Sequence, residues 1–538
     1  MLVELFDSNS GLTADGKLEL SSLHATRLAE LEANARPRWL GGERLLTLGQ
    51  KLKNFSGITP VPVPAGLNAT LRPYQQEGLN WLQFLREYGL GGVLADDMGL
   101  GKTLQVLTLL QARKEQGAAT GPALLIVPTS LLHGWQDQAS RFTPNLELLL
   151  LHGPQRRALQ DQIASADLVV TTYPLLARDQ AMLAELTWSL VIIDEAQTLK
   201  NPAAQMAKAL RDIPVKGRLA LTGTPMENSL QDLWTLFDWV VPGLLGDRKT
   251  FQALFRTPIE KQGDRAAQAR LNRRLRPFML RRTKEDVAGE LPPRTEILDS
   301  VDLPKAQQAL YETVRSAMDT RVREAVAARG LGAARITILD ALLKLRQVCC
   351  DPALVKTEAA RSVADSAKRT RLRELLLELV AEGRRVLVFS QFVEMLRLIS
   401  SDLDALGIAH LSLTGQTTNR AEVLQKFAEG TAPVFLLSLK AGGVGLTLTE
   451  ADTVILYDPW WNPAVERQAM DRVHRIGQDK PVFVHRLVAS GTVEEKILQL
   501  QAKKQALADA LFAEGDDDRG AAFFDEATLA DLFAPLTG

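Results

Sequence analysis

From about residue 70 to 225, short and wholly apolar runs alternate with longer stretches in which apolar residues return every three or four positions. The runs are Gly92-Val93-Leu94-Ala95, Ala123-Leu124-Leu125-Ile126-Val127, Leu168-Val169-Val170-Thr171, Leu190-Val191-Ile192-Ile193 and Arg218-Leu219-Ala220-Leu221. Continuously apolar strands between helices predict a parallel sheet covered on both faces, hence a doubly wound α/β domain. A second series starts near residue 380, with Arg385-Val386-Leu387-Val388-Phe389, Val434-Phe435-Leu436-Leu437, Thr453-Val454-Ile455-Leu456-Tyr457 and Val482-Phe483-Val484-His485-Arg486-Leu487. Residues from about 228 to 365 read as mostly helical and dense in Arg and Leu, an insertion between two α/β lobes. A long helix is expected from Val493 to Leu511, followed by the acids Glu514, Asp516, Asp517 and Asp518 and a short amphipathic tail.

The first 65 or so residues look accessory. Leu23, Leu28 and Leu31, then Leu45, Leu46, Leu48 and Leu52, suggest short amphipathic helices, and Pro60-Val61-Pro62-Val63-Pro64 reads as an extended linker. The abrupt start suggests a larger N-terminal region.

The 538 residues are enough for several cores. The charges balance to −1, so a polyanion partner would have to be met by a local stripe. The neighbouring Cys349 and Cys350 are the whole cysteine complement and do not suit a bridge or a zinc site, which suggests a reducing, intracellular setting. No stretch is apolar enough for a membrane span, and the N-terminus lacks a secretory pattern, so a cytoplasmic protein is expected.

The chemistry concentrates at strand ends. Asp96-Asp97-Met98-Gly99-Leu100-Gly101-Lys102-Thr103 follows a strand and opens a helix. Free N–H groups and the flexible Gly99 and Gly101 backbone suit phosphate oxygens; Lys102 would neutralise the phosphates and Thr103 would ligate Mg²⁺. Asp96 stands where the strict pattern has glycine. A glycine-rich turn before an ordinary helix is the plainer reading.

Asp194-Glu195-Ala196-Gln197 follows another apolar run. The first carboxylate can hold Mg²⁺ and the second can polarise an attacking water; an acidic helix cap is the alternative. Thr222-Gly223-Thr224-Pro225 ends a further strand and could couple the site to movement, or be an ordinary turn. Gln75, at the start of a helix with Trp81 and Phe84, could read an adenine edge.

In the second series, Arg472 and Arg475 lie three apart, on one face if helical, and suit arginine-finger work as well as a surface salt-bridge role. Gly442-Gly443-Val444-Gly445-Leu446 offers a flexible backbone near a strand end. Arg265, Arg270, Arg273, Arg274, Arg276, Arg281, Arg282 and Lys284 read as one helical segment that is either a solvated face or a stripe for nucleic-acid phosphates. Trp460 and Trp461 could pack in a core or brace a strand of nucleic acid.

Taken in order, D-D-M-G-L-G-K-T, D-E-A-Q, L-T-G-T-P-M-E-N, F-M-L-R-R-T-K, L-R-Q-V-C-C-D-P, V-F-S-Q-F and D-R-V-H-R-I-G-Q resemble the Swi/Snf family of superfamily-two helicase-like ATPases, over about residues 65 to 510. The resemblance implies two RecA-like lobes with ATP and Mg²⁺ at their interface, and translocation on double-stranded DNA without strand separation. It implies that Gln75, Asp97, Met98, Gly99, Leu100, Gly101, Lys102 and Thr103 bind nucleotide and that Thr103 and Asp194 hold the metal. Glu195 would activate water, and Gln468, Arg472 and Arg475 would complete the site from the second lobe. Gln197 stands where many relatives have a histidine, and Leu413-Thr414-Gly415-Gln416-Thr417 departs slightly from the family's version.

The implied organisation is an accessory region at 1–65, lobe 1 at 66–227, a family-specific helical insertion at 228–365, lobe 2 at 366–492 and a brace helix with acidic tail at 493–538. The bare motor core resembles the bacterial branch, with DNA-bound proteins or transcription machinery as partners and a place at the nucleoid. A strand-separating DNA or RNA helicase and a degenerate nucleic-acid-binding scaffold are the competing readings; the intact Lys102, Asp194, Glu195, Arg472 and Arg475 speak against the scaffold.

Overall fold

A computed structural model describes residues 60–117, 121–153, 155–199, 205–226, 229–287, 289, 291–364, 366–439, 447–460, 463–512 and 526–536, with a two-residue strand pair at 11–12 and 18–19. The accessory helices expected before residue 60, the Gly442–Leu446 loop and Trp461 lie outside the described residues. The chain divides into two compact units, the first ending at Gly289 and the second running from Glu290 to Asp509 and taking in the C-terminal helix.

In the first unit the strands are β1 (Gly92–Leu94), β2 (Ala123–Val127), β3 (Leu148–Leu150), β4 (Leu168–Thr172), β5 (Leu190–Ile193), β6 (Arg218–Leu221) and β7 (Met279–Leu280). They form one parallel sheet in the order β3-β4-β2-β5-β6-β1-β7. Every residue of β1, β2 and β4 is buried, as a sheet covered by helices on both faces requires. Helix α1 (Pro73–Glu87) starts with proline at its first position, and the Arg72 N–H donates to Gln75 Oε1 at 3.0 Å. Helix α2 (Lys102–Glu115) starts from Gly101, whose φ of +81° is open to glycine without strain.

The Pro60–Pro64 segment is extended but not a free linker. Val61 N–H donates to Asn80 Oδ1 at 2.8 Å, Gln76 Nε2 donates to Val61 O at 2.7 Å, and the Ala65 and Gly66 N–H groups donate to Glu115. It is stitched across α1 and α2, because a stretch in which proline alternates with valine still leaves its carbonyls and the valine amides to be satisfied.

The second unit holds β8 (Arg294–Val301), β9 (Val386–Ser390), β10 (His410–Leu413), β11 (Val434–Ser438), β12 (Thr453–Leu456) and β13 (Val482–Ala489), again all parallel, in the order β8-β13-β12-β9-β11-β10. Along β9, Val386 and Val388 pack into the core on one face while Leu387 and Phe389 pack into the core on the other. A third cluster joins α3 (Lys305–Ala333) and α4 (Arg335–Cys350) to the start of α5 (Val493–Phe512) through Tyr311, Leu345, Val493 and Ile497. The two α/β lobes expected from the hydrophobic pattern are therefore present, with α5 in the place of the expected long C-terminal helix.

The region read as mostly helical also contains β7 and β8, each at a sheet edge. Strand β8 is mostly exposed or half-buried, with Val301 buried at its end, and only one of its edges pairs with another strand. Its apolar content is too low to stand out in sequence.

Candidate functional site

The phosphate-loop candidate follows β1, the carboxylate pair follows β5, and Thr222 follows β6, which lies between them in the sheet. Strand spacing places β5 and β1 about 10 Å apart across β6. Strand C-termini flanking a phosphate loop are where open α/β sheets bind ligands.

The loop backbone is fixed from several sides. Leu100 N–H donates to Asp97 O, and Leu100 O accepts from Tyr74 OH at 2.9 Å and from Gln75 Nε2 at 3.1 Å. A Cβ on Gly101 would come within 2.5 Å of Gln75 Nε2, and one on Gly223 within 2.8 Å of Met98 Cγ, so both glycines are close-approach positions. Lys102 Nζ donates to Asp96 O at 2.5 Å and Asp97 O at 3.2 Å. Thr103 sits half-buried in the first turn of α2.

Gln75 is buried, and both ends of its amide are engaged, with Arg72 N–H at one end and Leu100 O at the other. Asp96, the residue that departs from the glycine pattern, is fully buried and receives Arg282 Nε at 2.9 Å and Nη2 at 2.6 Å. Gln105 Nε2 also donates to it, at 3.1 Å, and Arg282 reaches Tyr74 O and Gln105. The β1–β7 ladder continues past the strands, with Ala95 N–H on Leu280 O and Asp97 N–H on Arg282 O.

This corrects the reading of residues 265–284 as one basic helical stripe. The helix ends at Leu275, residues 279–280 form β7, and Arg282 and Lys284 are buried. Arg282 holds the phosphate loop through a bidentate pair with Asp96, and Lys284 N–H donates to Asp97 Oδ2 at 3.2 Å. Arg265, Arg273 and Arg276 stay exposed, whereas Arg274 lies over the Phe255 ring.

Asp194 Oδ2 accepts from Trp135 Nε1 at 2.9 Å, its Oδ1 accepts from Glu195 N–H at 2.9 Å, and its carbonyl accepts from Tyr173 OH at 2.7 Å. Burial, then the adjacent Glu195 charge, push the Asp194 carboxyl up to about 6; the Trp135 hydrogen bond and the Lys102 charge pull the other way. Glu195 has a φ of +51°, the one positive value at a non-glycine among the described residues. Such a backbone is held only where its surroundings over-determine it, which makes Glu195 a candidate functional position. Gln197 Nε2 donates to Glu195 Oε2 at 2.7 Å, while Gln197 Oε1 accepts from Thr222 Oγ1 at 2.7 Å; Thr222 Oγ1 in turn accepts from Thr224 N–H at 3.0 Å. Trp135 and Tyr173 are thus parts of the site that sequence pattern did not single out, whereas Thr222 lies in the turn read as able to couple the site to movement.

In the second unit, Arg472 and Arg475 do not share a helix face. The helix Pro463–Met470 carries Gln468 and ends before them, and residues 471–477 run in turns. Arg472 is buried, and Arg475 Nη1 donates to Thr447 Oγ1 at 2.8 Å. Burial, then the like charge of Arg472, lower the Arg475 pKa. Trp460 is half-buried against the lobe core. Thr414 and Thr417 close a turn on each other by a 3.0 Å hydrogen bond.

Among the described residues no cluster of three or more His, Cys, Asp or Glu is placed to hold a metal, and no helix is long and apolar enough to cross a membrane. Asp194 and Thr103 suit a Mg²⁺ ion that keeps several waters and takes the rest of its shell from phosphate.

A phosphate loop, a carboxylate pair and a hydroxyl-bearing turn at neighbouring strand ends define a P-loop α/β lobe, here followed by a second parallel-sheet lobe. The chain belongs to the SNF2 family: the SNF2-related domain matches residues 74–354 and the helicase conserved C-terminal domain residues 367–477. It is 39% identical over 506 residues to YwqA of Bacillus subtilis, covering 92% of this chain and 54% of that protein. It is 33% identical to the TATA-binding protein-associated factor MOT1 of Saccharomyces cerevisiae, over 99% of this chain and 32% of that one. The chain therefore spans about half, or less, of the length of these curated relatives. A solved SWI2/SNF2 ATPase core of Sulfolobus solfataricus in complex with dsDNA is 37% identical, with 85% of this chain and 96% of that one covered and a TM-score of 0.44.

Proposed function

We propose that the chain is an ATP-driven double-stranded-DNA translocase that remodels protein–DNA complexes. The observation that carries this reading is the hydrogen-bonded line from Glu195 through Gln197 to Thr222, set at the strand ends beside the phosphate loop. It ties the candidate water-activating carboxylate to the turn that follows the next strand.

On this reading the N–H groups of residues 97–103 hold phosphate oxygens at the start of α2, and Lys102 exchanges the carbonyls of Asp96 and Asp97 for the β- and γ-phosphates. Gln75 exchanges Arg72 N–H and Leu100 O for an adenine edge. Asp194 and Thr103 hold Mg²⁺: the Asp194 charge is opposed by burial and by Glu195, and a cation relieves both. Bound there, Mg²⁺ would neutralise charge on the phosphates. Glu195 orients the attacking water and accepts its proton. Gln468, Arg472 and Arg475 complete the site from the second lobe; burial, then repulsion from Arg472, oppose the Arg475 charge, and an anionic phosphoryl group would offset both.

Double-stranded DNA is the proposed track, and a DNA-bound protein or transcription machinery is the proposed cargo, by analogy with the TATA-binding-protein association in the name of MOT1. The proposed place is the nucleoid in the cytoplasm of a bacterial cell. The test is ATP turnover with duplex DNA, single-stranded DNA and RNA, alongside displacement of a third strand from a triplex and of one strand from a duplex. Duplex stimulation with triplex displacement is expected. Stimulation by single strands or RNA with duplex unwinding would favour a helicase, and no stimulation by any nucleic acid would overturn both.

A further inference from the structure

At the end of the first sheet opposite the phosphate loop lies a cavity of about 350 Å³. That is at the small end of the range for ligand pockets, roughly 300–1,000 Å³. Its apolar lining comes from Leu82, Leu85, Leu90, Leu109, Leu190 and Leu219. Its polar lining is mostly cationic, with Arg86 near the end of α1, Arg113 near the end of α2, and Lys216 and Arg218 before and within β6, beside Glu87 and Ser189.

Arg113 is 6% exposed, and its Nε is buried without a hydrogen-bond partner. The nearby charge that bears on it is Arg86, of the same sign; burial and that repulsion lower its pKa to about 10. Arg218 Nε is likewise buried without a partner, and the carboxylate that acts on it, Asp238, is already paired with Arg211 at 2.9 Å. Glu87 is the acidic residue of the lining, but it is exposed and accepts from Gln83 Nε2 at 3.4 Å. Basic side chains near helix C-termini often serve the helix dipole. Such a role leaves the guanidinium on the last carbonyls or in water, and Arg113 Nε is at neither. A buried cation without an anion is costly to retain.

We propose that this cavity binds an amphiphilic organic carboxylate, its apolar body among the leucines and its carboxylate received by Arg113, with Arg86 and Arg218 beside it. A planar carboxylate matches the guanidinium fork, and the leucines exclude water from the pair. The site uses none of the residues assigned to nucleotide. It does sit at the far ends of the elements that carry them: α2 starts at Lys102 and holds Arg113 near its end, β5 leads from Leu190 towards Asp194, and β6 leads from Arg218 towards Thr222.

The test is isothermal titration calorimetry of the full chain with octanoate, octanol and inorganic phosphate, without nucleotide. Octanoate is expected to bind, with octanol and phosphate both at least about tenfold weaker. Arg113→Met is expected to weaken octanoate at least about tenfold and Arg113→Lys less, with Arg218→Met as a second variant should the first fail to fold. Equal octanoate affinity in wild type and Arg113→Met, no octanoate binding at all, or phosphate binding as tightly as octanoate would each overturn the proposal.

Discussion

Gln197 donates its side-chain amide to Glu195 Oε2 at 2.7 Å, and the other end of that amide receives the Thr222 hydroxyl at the same distance. The direction of the chain is fixed by its carboxylate end: Glu195 only accepts, so Gln197 turns its amide NH₂ to it and its oxygen to Thr222, whose hydroxyl must donate. Where many relatives carry histidine, this chain has a side chain with one donor end and one acceptor end, neither of which titrates. Gln197→Ala is expected to lower DNA-stimulated ATP turnover about tenfold, the rate equivalent of ~1.4 kcal/mol, with ATP affinity nearly unchanged. Thr222→Val should act through the same line, so the double variant should be no worse than the more severe single. Additive losses in steady-state kinetics would contradict that coupling.

Glu195→Gln keeps the shape of the side chain and removes the proton acceptor. Single-turnover hydrolysis is expected to slow by about 10²- to 10⁴-fold while ATP still binds. Normal turnover would reassign the base.

Asp194 gives a pH signature. Its carboxyl is held at about 6, above the ordinary Asp value of 3.8, by burial and by Glu195. A raised folded-state pKa adds stability that is complete below the unfolded value and lost as pH rises through about 6. Asp194→Asn should therefore raise the melting temperature at pH 7.5 by the equivalent of about 1–3 kcal/mol, with no gain at pH 4. Cation binding has the opposite dependence, because the site must be ionised. Mn²⁺ affinity, read by electron paramagnetic resonance, should fall as pH drops through about 6 and not persist towards pH 4 as an ordinary carboxylate site would.

Arg282 and Asp96 form a buried pair that fastens the phosphate loop to the strand after the basic segment. Arg282→Met should cost about 3–5 kcal/mol in denaturant unfolding, since it strands a buried carboxylate. Arg282→Lys should recover only part, because a single ammonium cannot replace a bidentate guanidinium. A normal unfolding midpoint combined with weaker DNA binding would instead return Arg282 to the nucleic-acid face.

Lys368 and Glu494, both fully buried, meet at 2.5 Å and tie the helix Ala367–Ala381 to the start of α5. Burial opposes the Lys368 charge, but the charge and hydrogen bond of Glu494, together with Cys350 and Cys349, leave the pKa raised. Glu494→Gln should destabilise the fold by about 3–5 kcal/mol, and Lys368→Met with Glu494→Leu should recover most of that loss. Thermal unfolding of the three chains is the check.

The apolar runs at Ala123–Val127, Leu190–Ile193 and Val434–Leu437 were legible because strands buried on both faces favour an apolar residue at nearly every position. The phosphate loop and the carboxylate pair were legible because their chemistry is confined to short contiguous stretches. Strands β7 and β8 were not, because a sheet edge demands little of a side chain and their parallel partners lie far away in sequence. Likewise the basic run 265–284 has one composition and several fates. Nothing local distinguishes the exposed Arg273 from the buried Arg282, whose partner is 186 residues away. The sequence by itself determined the two parallel-sheet lobes, their order and the residue types of the nucleotide chemistry, since periodicity and contiguous motifs are local properties. Only the tertiary structure decided that Asp96 is fastened by Arg282, that Gln197 bridges Glu195 and Thr222, and that Arg113 is buried without an anion. Each of those depends on which distant groups share a small, water-poor space.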